Sequence, residues 1–230
     1  MTIAKGDVIR LHYTGDINGK IFDTTDERIA KEADIFNESA TYGPITICVG
    51  NKHVVLGLDE ALEGAEMGSE TTIEVPPGKA FGAHEDTLVE SIPLTKFREP
   101  PQVGGRVQIE NREGVVINRI GRRAVVDFNH PLSGKTVRYT FTILEKVEST
   151  DDKVKGVIRL YTQREMEVSY NEGVVSITLP AGIQYERRWH LWRGKVISDI
   201  FATMSEVNEI ILLEIFKRPV EENVTAKSDQ

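Results

Sequence analysis

The 230-residue chain contains one cysteine, and only 7% of its residues are aromatic. It also lacks any apolar run near the roughly 18 residues that a membrane-spanning helix needs. A lone cysteine excludes an internal disulfide. With no Cys or His at metal-ligand spacing, Cys48 argues for a reducing compartment, and inside the apolar run Ile45 to Val49 it reads as a buried structural thiol. Met1 to Lys5 lacks the apolar core of a signal peptide, so a cytoplasmic location is expected and no membrane partner. An excess of basic charge is missing too. The net charge is −8, with 7 basic and 14 acidic groups over 1–82, 7 and 7 over 83–129, and 11 and 13 over 150–230. Phosphate-backbone binding requires a basic face, so no nucleic-acid partner is expected. Five histidines, His12, His53, His84, His130 and His190, are scattered rather than clustered, and no metal or cofactor is expected.

What is present is a mixed pattern of short strands and few helices. Asp7 to Tyr13 alternates as a half-buried strand, Gly15 to Gly19 reads as turns, and Ile21 to Asp23 resumes the strand. Asp26 is placed to cap a short helix, and Ile45 to Val49 is a strand. Gly57 to Gly68 carries Leu58, Ala61, Leu62 and Ala65 at helical spacing, followed by a strand from Thr71 to Val75. Leu94 to Pro101 reads as a loop. Val103 to Asp127 then alternates like a small meander with turns at Gly105, Gly114 and Gly121, and Val137 to Val147 is a long strand that could rejoin the first sheet. Beyond a polar joint at Ser149 to Lys153, strands are predicted at Val157 to Thr162, Val168 to Tyr170 and Val174 to Leu179. A helix at Gly194 to Val207, a last strand at Glu209 to Lys217 and a polar, disordered tail complete the chain. One helix among several strands favours an α+β fold over a wound parallel sheet.

Three segments carry the chemistry: VIRLHYTGDINGKIFD (Val8 to Asp23), VGNKHVVLGLDEALEGAEMG (Val49 to Gly68) and VPPGKAFG (Val75 to Gly82). Taken singly, strand aromatics are usually core, and an aspartate after an apolar strand is usually a turn residue. In this order and register, the three segments resemble the FKBP family of peptidyl-prolyl cis/trans isomerases across 3–82 and again near 136–147. The resemblance implies an antiparallel half-barrel with one short helix. It also implies a proline pocket with Tyr13, Phe22, Asp23, Val54, Val55, Leu58, Phe81 and Tyr139 as catalytic residues and Ile45 as a substrate contact. Leu58 stands where many members have tryptophan, Ile45 where many have phenylalanine, and Phe81 where many have tyrosine, so a hydroxyl is missing there. Such a pocket needs no nucleophile. Rotation about the X-Pro bond is opposed only by amide resonance, roughly 18–20 kcal/mol, and an apolar pocket favours the less polar twisted amide.

Two further segments, Glu85 to Phe97 and Phe128 to Thr136, resemble the flanks of the insert-in-flap domain of SlyD-like members, in which the insert binds unfolded chains. Leu88, Val89, Ile92, Leu94 and Phe97 could form an apolar edge there or the core of a small domain. The layout beyond 150 resembles long-chain archaeal members, in which the extra domain is associated with self-association. Trp189 and Trp192 in RRWHLWR (Arg187 to Arg193) fit a core or subunit interface better than base stacking. The expected organisation is a discontinuous catalytic domain (1–83 and 129–149), an inserted β-rich domain (84–128), a C-terminal α/β domain (150–220) and a tail (221–230). The expected activity is prolyl isomerisation with holdase or foldase action on unfolded proteins and X-Pro peptides, with homodimerisation through the C-terminal domain. A proline-recognising chaperone or scaffold with little turnover is the alternative.

Overall fold

The computed structural model describes residues 2–216 and 218, so the expected tail lies outside the described residues. The chain forms two compact units, Met1–Lys146 and Val147–Gln230, and the fold is α+β.

In the first unit, strand β1 (Val8–Ile17) runs on through Gly15, and the turn expected at Gly15 falls instead at Asn18 and Gly19, both with positive φ. Strand β2 (Lys20–Thr24) pairs with the second half of β1, and β3 (Ile45–Cys48) pairs with its first half. The long strand β9 (Val137–Lys146) does rejoin this sheet, lying between β1 and β4 (Glu70–Val75). All four pairings are antiparallel. Two short helices accompany the sheet rather than one. Helix α1 (Glu27–Glu32) is capped as expected by Asp26, whose carboxylate accepts from the N–H groups of Arg28 and Ile29. Helix α2 (Leu56–Leu62) buries Leu58 and Leu62, four residues apart, and so presents one apolar face.

A second antiparallel sheet in the same unit has the order β5 (Val89–Pro93), β8 (Arg123–Asp127), β7 (Arg112–Ile120), β6 (Arg106–Ile109). Its core is Ile92, Ile109, Val116, Ala124 and Val126, with Leu94 and Phe97 packed against it. Ile92, Leu94 and Phe97 are therefore core residues of this sheet and do not form an apolar edge. The β6–β7 turn is made by Glu110 and Asn111, both at positive φ, and Gly114 lies inside β7. A Cβ on Gly114 would come within 2.7 Å of Val126, so the glycine there serves close packing.

The second unit opens with helix α3 (Thr150–Thr162), where a polar joint and a strand were predicted. The window VIRLYT (157–162) is short and partly β-branched, which mimics a strand. The helical face becomes visible only when Val154 is included, because Val154, Val157, Ile158 and Tyr161 fall on one side, with Asp151 and Asp152 favourably placed in the first turn. Strands β10 (Glu167–Asn171) and β11 (Val174–Leu179) form an antiparallel hairpin. Strand β12 (Glu209–Glu214) pairs parallel to β11, which requires a crossover, and helix α4 (Arg187–Thr203) supplies it. Helix α4 starts at Arg187 rather than Gly194, so RRWHLWR is its first two turns. Trp189 is buried in the core with Val196 and Ile200, while Trp192 is 42% exposed and stacks on Tyr161 at 5.5 Å.

Candidate active site

The site is built where β1 is flanked by two strands at once. Gly15 is paired with Asp23 on β2 and with Tyr139 on β9, so the three strands place Asp23 and Tyr139 to either side of one glycine. Period-two alternation puts Tyr13 and Gly15 on the same face of β1. The Tyr13 hydroxyl donates to Asp23 Oδ2 at 2.8 Å. Tyr13 meets the Tyr139 ring edge-on at 5.9 Å, and Phe22 meets both Tyr139 (5.9 Å) and Phe81 (5.8 Å) in the same way. Four of the aromatics singled out in the sequence thus form one continuous cluster. Edge-to-face contacts of this kind fix ring orientation at about 0.5–1.5 kcal/mol each beyond burial.

Gly15 was missed as a site residue because its sequence neighbourhood reads as a turn. A Cβ on Gly15 would lie 2.7 Å from Phe22 Cζ and 2.8 Å from Tyr139 Cε1, so two rings close over the strand only because nothing projects from this position. A glycine inside an alternating strand pattern is the available signal for such close approach.

The loop carrying Val54 and Val55 is held from beneath. Asp59, 4% exposed on α2, accepts from the N–H groups of Gly50 (2.8 Å) and Lys52 (3.1 Å). His53 Nδ1 accepts from the Cys48 N–H at 3.1 Å, and Cys48 itself is buried. Val54 and Val55 are half-buried. Among the described residues the Val55 N–H has no protein acceptor. Ile45 is half-buried on the edge strand β3. Leu58, by contrast, is 1% exposed and belongs to the core beneath α2, so its side chain is already covered by the fold.

Electrostatically the site is poor in mobile charge. Burial pushes the Tyr13 hydroxyl far above the ordinary phenol range, and the neighbouring Asp23 charge and hydrogen bond add to this. Burial, followed by Asp23, likewise raises Tyr139 to about 12. Asp23 has an edge open to solvent, but the protein packed around it raises its carboxyl above the usual value. The bonds from Tyr13 and from the Thr24 N–H only partly offset that burial. The result is a neutral, aromatic wall with one oriented acceptor. That arrangement suits a reaction which moves no atom between molecules but reduces the polarity of an amide. Among the described residues no group of three His, Cys, Asp or Glu side chains could hold a metal ion, and no helix is long and apolar enough to cross a membrane.

Comparison with known proteins points the same way. Residues 1–96 match the family described as FKBP-type peptidyl-prolyl cis-trans isomerase, and residues 150–217 match the family described as FKBP26_C-terminal. A short-type peptidyl-prolyl cis-trans isomerase of Methanocaldococcus jannaschii is 33% identical over 144 residues, 61% of this chain and 92% of that protein. The FKBP-type isomerase SlyD of Haemophilus influenzae is 30% identical over 126 residues, 52% of this chain and 66% of its own. SlyD of Treponema pallidum is 28% identical over 165 residues, 69% of this chain and 86% of its own.

Proposed function

Because the chain belongs to the FKBP-type peptidyl-prolyl cis–trans isomerase family and is an enzyme of that class, we propose that its pocket isomerises X-Pro bonds in unfolded chains that the second sheet holds nearby. The observation that carries this reading is the Tyr13–Asp23 hydrogen bond set inside the ring cluster of Tyr13, Phe22, Phe81 and Tyr139. A planar amide keeps its charge-separated resonance form best in water. Pressed against these rings it loses hydration, and the twisted transition state, which has lost resonance, is penalised less. Asp23, oriented by Tyr13, faces the developing polarity of the twisted amide, and the Val55 N–H can hold a neighbouring carbonyl. Lowering the barrier by about 4 kcal/mol would accelerate exchange roughly a thousandfold.

The holdase part rests on the residues 84–128, read as a domain inserted beside the pocket. Val103, Ile117 and Ile120 are exposed on it at 62%, 48% and 64%, and among the described residues its two edge strands, β5 and β6, each have one unpaired side. Exposed apolar side chains beside open strand edges suit capture of extended, unfolded segments. Capture would raise the local concentration of prolyl bonds at the pocket. A protease-free NMR exchange assay on a short prolyl peptide, run beside refolding of a proline-limited protein, tests both parts. Acceleration of neither would sink the isomerase reading, and equal acceleration with and without the second sheet would sink the division of labour.

Self-association is assigned to the second unit. Its edge strand β12 and the chain just after it expose Ile211, Leu213, Ile215 and Phe216, the last at 83%. A row of this kind on a strand that, among the described residues, is paired on one side only favours pairing with a second copy.

A further inference from the structure

Helix α4 departs from two local rules on its exposed face. Its first turn carries Arg187 and Arg188 and no acidic residue, although the amide end of a helix disfavours cations. Helix α3, by comparison, opens with Asp151 and Asp152. Near the middle of α4 stands Gly194, exposed, where a Cβ would meet nothing within 4 Å outside the helix's own backbone. Apart from proline, glycine is the least favourable residue in a helix interior, and no packing within the chain calls for this one.

Both departures surround one apolar side chain. Leu191 is 64% exposed. Arg187 and Arg188 lie four and three residues before it, and Gly194 and Lys195 three and four after it, the spacings that make neighbours on a helix surface. The ring of Trp192 beside it is held by its stack on Tyr161. Lys195 is held as well, donating to the buried Asp199 at 2.7 Å, and Asp199 also accepts from the Tyr161 hydroxyl. Among the described residues Arg187 and Arg188 are in no ion pair, and Glu186 next to them is bonded to Arg164.

An apolar centre ringed by cations, with a fixed tryptophan at its side, has the composition of the energetic centre of a protein interface. Local choices that weaken a helix and serve nothing inside the chain point to a use outside it. We propose that this face of α4 docks an acidic segment of a partner protein, with a large apolar side chain of the segment on Leu191 and Trp192 and its carboxylates on Arg187 and Arg188. Arginine forks pair with carboxylates through two bonds at once, and the bare Gly194 lets a partner backbone come close. Charge selects this partner. Residues 185–198 hold four Arg or Lys and one Glu in a chain of net charge −8. A nucleic-acid strand would extend past the patch over a unit in which acids outnumber bases, 13 to 11 over 150–230. A helix lying in a membrane surface keeps its apolar face apart from its cations, whereas Leu191 sits among them.

The full chain would be titrated, with fluorescence anisotropy as the readout, into a labelled peptide in which Glu and Asp flank a central Leu-Phe pair. The same peptide with Ser for every acid, a single-stranded oligouridylate and phosphatidylglycerol vesicles serve as comparisons. Gly194→Gln fills the gap with a better helix former, and Arg187→Glu with Arg188→Glu puts acids where the helix end favours them. Each variant should raise the melting temperature by a few degrees and weaken binding of the acidic peptide at least about tenfold in Kd. Damage to the unit would lower both quantities together, so a stabler fold with lost binding is specific to a docking face. Failure of the unaltered chain to bind the acidic peptide, equal affinity for the Ser peptide, or unchanged affinity in either variant would overturn the proposal. A lower melting temperature in Gly194→Gln would overturn it too, by showing that the fold itself requires the glycine. Tighter binding of the oligouridylate or the vesicles would give the face to those ligands instead, and conversion of a dimer to a monomer by Gly194→Gln, seen in light scattering, would give it to a second copy.

Discussion

Gly15 and Tyr139 are paired across β1 and β9 so closely that a single added Cβ on the glycine would sit 2.8 Å from the tyrosine ring. The same Cβ would sit 2.7 Å from Phe22. Neither ring can retreat without disturbing its edge-on contact with the other. Gly15→Ala should therefore open the aromatic cluster, costing roughly 1–3 kcal/mol of stability by overpacking and at least about tenfold in kcat/KM on a short prolyl peptide. Chemical denaturation and the exchange assay check the two effects. A variant with full activity would show that the ring geometry does not matter for turnover.

Asp23 gives a signature in pH. Burial raises its carboxyl above the ordinary value, so protonation sets in at a higher pH than for a free aspartate as the solution is acidified. If the carboxylate form is the active one, the acid limb of kcat/KM lies above the ordinary aspartate range and activity falls as pH drops through it. Asp23→Asn should remove that limb and lower kcat/KM at neutral pH by roughly ten- to a hundredfold. A limb that persists in Asp23→Asn belongs to another group.

Asp16 and Arg138 tie the ends of β1 and β9 together, with contacts of 2.8 and 3.0 Å, while Asp16 also accepts from the Gly19 N–H at 2.9 Å. Burial alone would raise the Asp16 carboxyl, but the bonds from Arg138 and Gly19 outweigh it and hold it below its usual value. A depressed carboxyl pKa contributes stability that is present above the unfolded-state value and is lost as pH falls through the folded-state value. Asp16→Ala should cost roughly 1–2 kcal/mol at neutral pH by loss of these hydrogen bonds. The gap from the unaltered chain should shrink below about pH 4, as read from urea titrations at several pH values.

Residues 84–127 can be removed in the expectation that catalysis on a refolding protein drops steeply while exchange in a short peptide is spared. Their two ends are already close: Gly134 N–H donates to the Gly82 carbonyl at 2.9 Å, and Asn129 Oδ1 accepts from the Glu85 N–H at 2.9 Å. A gentler version, Ile117→Asp with Ile120→Asp, should reduce suppression of aggregation several-fold without altering peptide turnover. Retained aggregation suppression would move client binding off this face.

For self-association, Leu213→Lys with Ile211→Lys places charge on the open edge of β12, where both side chains are over a third exposed. Light scattering should report a shift from dimer to monomer with little change in melting of the unit. A chain that is monomeric before substitution would refute the assignment.

Much of this was legible in the sequence because it depends on local spacing. The alternation in Val8 to Tyr13, the apolar face of α2 and the Asp26 cap are each decided within a few residues, and the three motifs hold Tyr13, Phe22 and Phe81, three of the four aromatics that meet. Other features were not legible locally. Gly15 looks like a turn until two partner strands bring their rings over it. The window 157–162 looks like a strand until α3 packs Val154 and Ile158 into the core of the second unit. Leu58 resembles a pocket floor in the motif, and only the packing of α2, the helix that carries it, leaves it 1% exposed. The amino-acid order by itself determined the charge, the single thiol, the alternating strands and the pocket's ingredients, since these are properties of composition and period. Tertiary structure decided that Tyr13 donates to Asp23, that His130 stacks on Phe81 and that Gly15 must stay bare. Each of those facts is a distance between groups that lie far apart along the chain or on different strands, and only pairing and packing set such distances.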